Sequence, residues 1–97
     1  HLDAQQLLQG IIHLSYGGKP FAVAVADCHA DPASCSDLAN ALADVFATVL
    51  RPGANYQFTV LTENDVVLRQ GTCARGIVST STISTLDTFY DLRLRLC

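Results

Sequence analysis

The sequence predicts an α+β fold in which two helices pack on one face of an antiparallel sheet of four to five strands, stapled by disulfides. Three observations carry this expectation. The first half of the chain holds segments whose apolar residues recur at helical spacing, and the second half alternates apolar and polar residues with a period of two. Four cysteines in 97 residues form an even set, as in disulfide-stapled exported domains. A chain this short is one domain, residues 1–97, with a modest core.

Asp3 is placed to cap a first helix whose residues Leu7, Leu8, Ile11 and Ile12 form one stripe. That stripe is the expected packing or assembly surface, and Leu2 lies near it, as in a helix begun further upstream. Gly17-Gly18 then either stops the helix or forms a two-residue hairpin turn. The run F-A-V-A-V-A after Pro20 reads as a strand buried on one face and closely covered on the other. Cys28 to Cys35 reads as a loop with its turn at Asp31-Pro32, after which Ser34 or Ser36 caps a second helix. Leu38, Leu42, Val45, Phe46 and Val49 make that helix's apolar stripe, and Arg51-Pro52-Gly53 ends it.

From there a four-stranded meander is expected. Tyr56, Phe58 and Val60 alternate with polar residues, Glu63-Asn64-Asp65 turns the chain, and Val66–Arg69 begins the return. Ala74–Ser81 and Leu86–Leu96 give two more strands. In the last, Tyr90, Leu92, Leu94 and Leu96 alternate with Asp91, Arg93 and Arg95, the pattern of a half-exposed strand.

Charge narrows the function classes. Only 15% of residues are charged against about 25% in ordinary domains, and the net charge is −3. With one lysine and five arginines scattered along the sequence, nucleic acid is not an expected ligand. No run reaches the ~18 apolar residues of a membrane span. A start at His1 rather than methionine fits a removed leader or an excised domain.

The cysteine spacing disfavours zinc, which usually uses close pairs such as C-x2-C. Cys28 and Cys35 bracket a short turn. With Thr82–Thr85 as the last turn, Ser81 falls opposite Leu86 and Cys73 opposite Leu94, a few residues from Cys97. Pairing 28–35 and 73–97 is therefore expected, with the two crossed connectivities left open.

The densest polar group is Asp27, His29 and Asp31. It is a weak metal candidate, because a calcium loop collects more oxygens and a glycine; the plainer expectation has the aspartates holding turn amides and His29 in solvent. Glu63 and Asp65 read as solvated, and His13 as a packed histidine. No G-x-S-x-G or phosphate-binding glycine pattern is present, and no cofactor is expected. The S-T-S-T-I-S-T run from Ser79 to Thr85 reads as an exposed strand edge and turn, with a hydroxyl-rich surface for O-glycans or an ice- or sugar-facing patch as the alternatives.

Three stretches together resemble the secreted portion of archaeal type IV pilin-like proteins, the class III signal peptide group. They are Q-Q-L-L-Q-G-I-I-H-L-S-Y-G-G-K-P-F from Gln5, L-R-P-G-A-N-Y-Q-F-T-V-L from Leu50, and the S-T-S-T hairpin with its Y-D-L-R-L-R-L strand. The resemblance implies a non-catalytic structural or adhesive subunit, extracellular or at the cell surface, that associates with itself or with other filament subunits. It also implies that a membrane is reached only through a segment absent from this chain, about 20 apolar residues preceded by a short basic leader. The alternatives are a secreted module binding a glycan or protein, then a small secreted enzyme or inhibitor.

Overall fold

The computed structural model describes residues 3–97; Leu2, with its expected place near the first stripe, lies outside them. The described order is α1 (Ala4–His13), β1 (Ser15–Tyr16), β2 (Lys19–Pro20), α2 (Phe21–Ala30), α3 (Pro32–Val49), β3 (Tyr56–Leu61), β4 (Val66–Gly71), β5 (Ile77–Ser84) and β6 (Phe89–Leu96). The α+β class is as the sequence predicts. The described residues hold three helices, one more than expected.

The Asp3 carboxylate accepts a hydrogen bond from the Gln5 amide at 2.9 Å and caps α1. Gly17 and Gly18 follow with φ of 59° and 80°, the two left-handed residues that a type I′ hairpin turn needs. They fold β1 back on β2, pairing Tyr16 with Lys19.

The extra helix replaces the strand expected after Pro20. Alternation with alanine is ambiguous, because alanine is also the best helix former. Wound as α2, Phe21, Val25 and Cys28 fall at i, i+4 and i+7 and are buried, while Val23 points outward at 42% exposure. The expected 28–35 loop shrinks to one residue, Asp31. Pro32 drives Asp31 to an extended conformation (φ −138°, ψ 107°), which ends α2. The Asp31 carboxylate then caps α3 by accepting from the Ala33 amide at 3.1 Å, with Pro32 in the first turn. Asp31, not Ser34 or Ser36, therefore starts this helix, and the Cys28–Cys35 disulfide ties two consecutive helices together.

The four long strands form one antiparallel sheet in the order β4-β3-β6-β5. This corrects the expected meander: two hairpins, β3–β4 and β5–β6, join through β3 and β6. The reason lies in β6, whose Tyr90, Leu92 and Leu94 are at most 2% exposed and need neighbours on both sides. Hydroxyl-rich β5 takes the edge instead. The last turn also moves, to Thr85–Thr88, so that Ser81 pairs with Leu92 and Ile77 with Leu96. The Ser/Thr run continues the strand, and fully exposed Leu86 sits in the turn. Cys73 and Cys97 bridge the open end of this hairpin with Cα atoms 5.9 Å apart.

All three helices lie on one side of the sheet. Leu8, Ile11, Phe21, Val25, Leu42 and Phe46 meet Phe58, Val60, Leu92 and Leu94 in one core. Phe46 stacks on Tyr56 with centroids 3.9 Å apart. Gln70 links α3 to the sheet, its Nε2 donating to the Ala39 carbonyl at 3.0 Å and to Tyr56 Oη at 3.1 Å. No helix of the described residues is long and apolar enough to cross a membrane.

Candidate binding face on the open side of the sheet

The polar residues singled out in the sequence do not converge. Asp27 pairs with Lys19 at 2.6 Å, and Asp31 serves as the α3 cap. His29 is not simply solvated: its Nδ1 lies 3.0 Å from Tyr90 Oη, and its Nε2 3.6 Å from the Asp65 carboxylate. A histidine between a carboxylate and a hydroxyl has the order of a catalytic triad. Here, however, the hydroxyl belongs to a tyrosine 2% exposed, out of a substrate's reach, so the contact anchors α2 to β6 and the β3–β4 turn. No three His, Cys, Asp or Glu side chains gather as a metal site among the described residues.

The first stripe is consumed inside the domain. Leu7, Leu8 and Ile11 are buried and Ile12 packs against the same core, with α1 lying over β5 and β6. His13, expected to be packed, is exposed, and its Nδ1 lies 2.7 Å from the Gln9 carbonyl. The α2–α3 side also carries a groove of about 270 Å³ beside the β1–β2 hairpin, spanned by the Lys19–Asp27 pair. Beside it Tyr16 is buried with its hydroxyl donating to the Ile11 carbonyl at 2.9 Å, and burial pushes its pKa up to about 12.

The opposite side of the sheet is uncovered, and there the fold assembles a group that the sequence scatters. Register places Arg69 of β4, Thr59 of β3, Arg93 of β6 and Thr80 of β5 in one row across the four strands. The next row holds Gln57, Arg95 and Val78. Gln57, Thr59, Arg69, Val78, Arg93 and Arg95, with Leu61, line a shallow hollow of about 170 Å³. Thr59 sits at its centre, only 8% exposed because the long arginine stems stand on either side.

Three of the five arginines thus share one face of an acidic protein. The ion pairs of the described residues are Lys19–Asp27 and His29–Asp65, and neither involves these arginines. Arg95 is held in place by donating from Nη1 to the Cys73 and Ala74 carbonyls, both at 3.2 Å, beside the 73–97 bridge. The acid on this face, Asp91, accepts from Thr82 Oγ1 at 3.3 Å. Guanidinium groups offer planar forks that fit carboxylate, sulfate or phosphate oxygens. Sequence reading misses the cluster because Arg69 meets Arg93 only across β3. The one available signal is the alternation of Arg93 and Arg95 on β6.

No family model matches the chain, and no curated protein or solved structure matches it either.

Proposed function

We propose that the chain is a non-catalytic structural and adhesive domain, extracellular or at the cell surface, whose contact surface is the open face of the sheet. The observation that carries the reading is the arginine row on that face, uncovered and unpaired with acid among the described residues. A sheet face kept out of the core with three clustered arginines against one acid, Asp91, fits an anionic partner surface. The two disulfides fit an oxidising compartment. The pilin-like form of this reading is supported by the packing of an amphipathic N-terminal helix against an antiparallel sheet.

A second reading, a module that binds an acidic glycan, is favoured by the hollow at Thr59 and by Thr80, which pairs with Arg93 on the same face. One experiment addresses both. The wild-type domain and Arg69→Gln/Arg93→Gln are compared, at about 0.05 M salt, for self-association in the ultracentrifuge and for retention on an immobilised sulfated polysaccharide. Self-association lost in the variant supports the structural reading, and retention lost in the variant supports the glycan reading. A wild-type domain that is monomeric and unretained removes both.

A further inference from the structure

We propose that the open sheet face is covered by the outer face of α3 from a second copy of this chain, repeated head to tail. The proposal rests on the structural reading above and names the partner surface. It starts from the side of the molecule away from the arginines. Leu38, Leu42 and Phe46 turn α3 into the core, and the stripe opposite them is Ala33, Asp37, Asn40, Asp44 and Ala47. Those steps of four and three residues follow one face of a helix, and all five residues are exposed. The 18 residues of α3 contain two aspartates and no lysine, arginine or histidine. The molecule therefore carries an acidic helical surface on one side of its sheet and a basic strand surface on the other.

The two surfaces match in spacing as well as in sign. Asp37 and Asp44 are seven residues apart, about 10.5 Å at the helical rise of ~1.5 Å per residue. Arg69 and Arg93 are separated by the single strand β3, two inter-strand steps, or about 9.6 Å at ~4.8 Å each. A helix laid across the strands can therefore bring both aspartates onto both arginines at once. Between the acids lies Asn40, and between the arginines lies Thr59, so an amide faces a hydroxyl at the centre. Ala33 and Ala47 add no long side chain to hold the helix off the hollow.

The contact uses different surfaces on the two copies, so it is heterologous. Each added copy presents a fresh α3 and a fresh open face, and the assembly extends unless its rotation closes a ring. Association through paired exposed charges weakens as salt screens them.

Sedimentation velocity tests this on four samples: wild type, Arg69→Asp/Arg93→Asp, Asp37→Arg/Asp44→Arg, and an equimolar mixture of the two variants. Circular dichroism and disulfide mapping first establish that each variant is folded. The wild type is expected to form a ladder of oligomers at about 0.02 M salt that dissolves at about 0.5 M. Each variant alone should be monomeric, because like charges then face each other. The mixture should associate again, since the reversed helix of one variant meets the reversed face of the other and the two unchanged surfaces also meet. Continued assembly of folded Asp37→Arg/Asp44→Arg, or a mixture that stays monomeric, overturns the α3 contact. If the arginine variant alone loses assembly, the structural reading survives with another partner surface. A wild type monomeric at low salt up to its solubility limit overturns both.

Discussion

The two faces of the sheet are built from the same strands and answer to different demands. Along β6, Tyr90, Leu92 and Leu94 are 2%, 0% and 0% exposed, while Asp91 and Arg93 between them stand in solvent. Neighbouring residues share strand, partners and backbone geometry, and differ only in which side of the sheet they occupy. On the helical side, the need to exclude water dictates the residue type. On the open side folding accepts almost any soluble residue, so a row of arginines there is not explained by the fold. Composition on the unconstrained face is where function is legible.

The sharpest test of that contrast is to remove volume from the covered face. Phe58→Ala and Phe46→Ala should each cost about 3–5 kcal/mol, and Leu42→Ala and Leu92→Ala about 2–5 kcal/mol. Each side chain is at most 1% exposed and meets others of the same core. Denaturant unfolding with the disulfides intact measures these costs. Values under about 1 kcal/mol would mean that the helical layer packs loosely, and the distinction between the faces would fail.

Much of this covered face was legible beforehand. Leu38, Leu42 and Phe46 on α3 and the alternation on β3 and β6 are strong periodic signals, because burial on one side imposes the period directly. The 28–35 and 73–97 pairing was also readable, although the register used for 73–97 was wrong. The errors share a cause: short or small-residue segments satisfy two periods at once. F-A-V-A-V-A fits a strand and a helix, and only packing against α3 decides. The Ser/Thr run of β5 has no apolar alternation to locate its turn. The arginine row was hidden for another reason, since strand order is a tertiary fact and the β3–β6 pairing is not local.

The disulfides extend the comparison, one within the helical layer and one at the open end of the β5–β6 hairpin. Loop-closure entropy gives about 3.5 kcal/mol for the 73–97 bridge, separation 24, and about 2.5 kcal/mol for 28–35, separation 7. Cys73→Ser/Cys97→Ser should therefore lower stability more than Cys28→Ser/Cys35→Ser. It should also loosen Arg95, whose carbonyl partners are at Cys73 and Ala74. Hydrogen exchange at β5 and β6 would register that change. Equal protection in both double variants would show that the open face does not depend on its bridge.

Tyr16 gives a smaller effect on the helical side and one with a pH signature. Tyr16→Phe removes the hydrogen bond to the Ile11 carbonyl, which still accepts from the Leu14 amide at 3.3 Å, so the neutral-pH loss should be about 1 kcal/mol. The folded phenol has its pKa raised to about 12, above the ~10 of an unfolded chain. Its contribution is then fully present below pH ~10 and declines as pH rises through 12, by at most about 3 kcal/mol. Stability curves of wild type and Tyr16→Phe should approach and then cross over that window. Parallel curves would place the phenol in contact with solvent.

The smallest expected effect on folding belongs to the open face, and it decides how that face is understood. Arg93→Gln and Asp91→Asn should each change stability by less than about 0.5 kcal/mol, as substitutions of exposed side chains with no ion pair among the described residues. The Arg69→Gln/Arg93→Gln pair should stabilise slightly. Two like charges about 10 Å apart in water repel by roughly 0.4 kcal/mol, and the substitution relieves that repulsion. Thermal and denaturant unfolding of the three variants measure the difference. A loss above about 1 kcal/mol would assign the arginines to the fold, through their stems over Thr59. Unchanged stability together with lost association would leave contact with a partner as the reason the row is there.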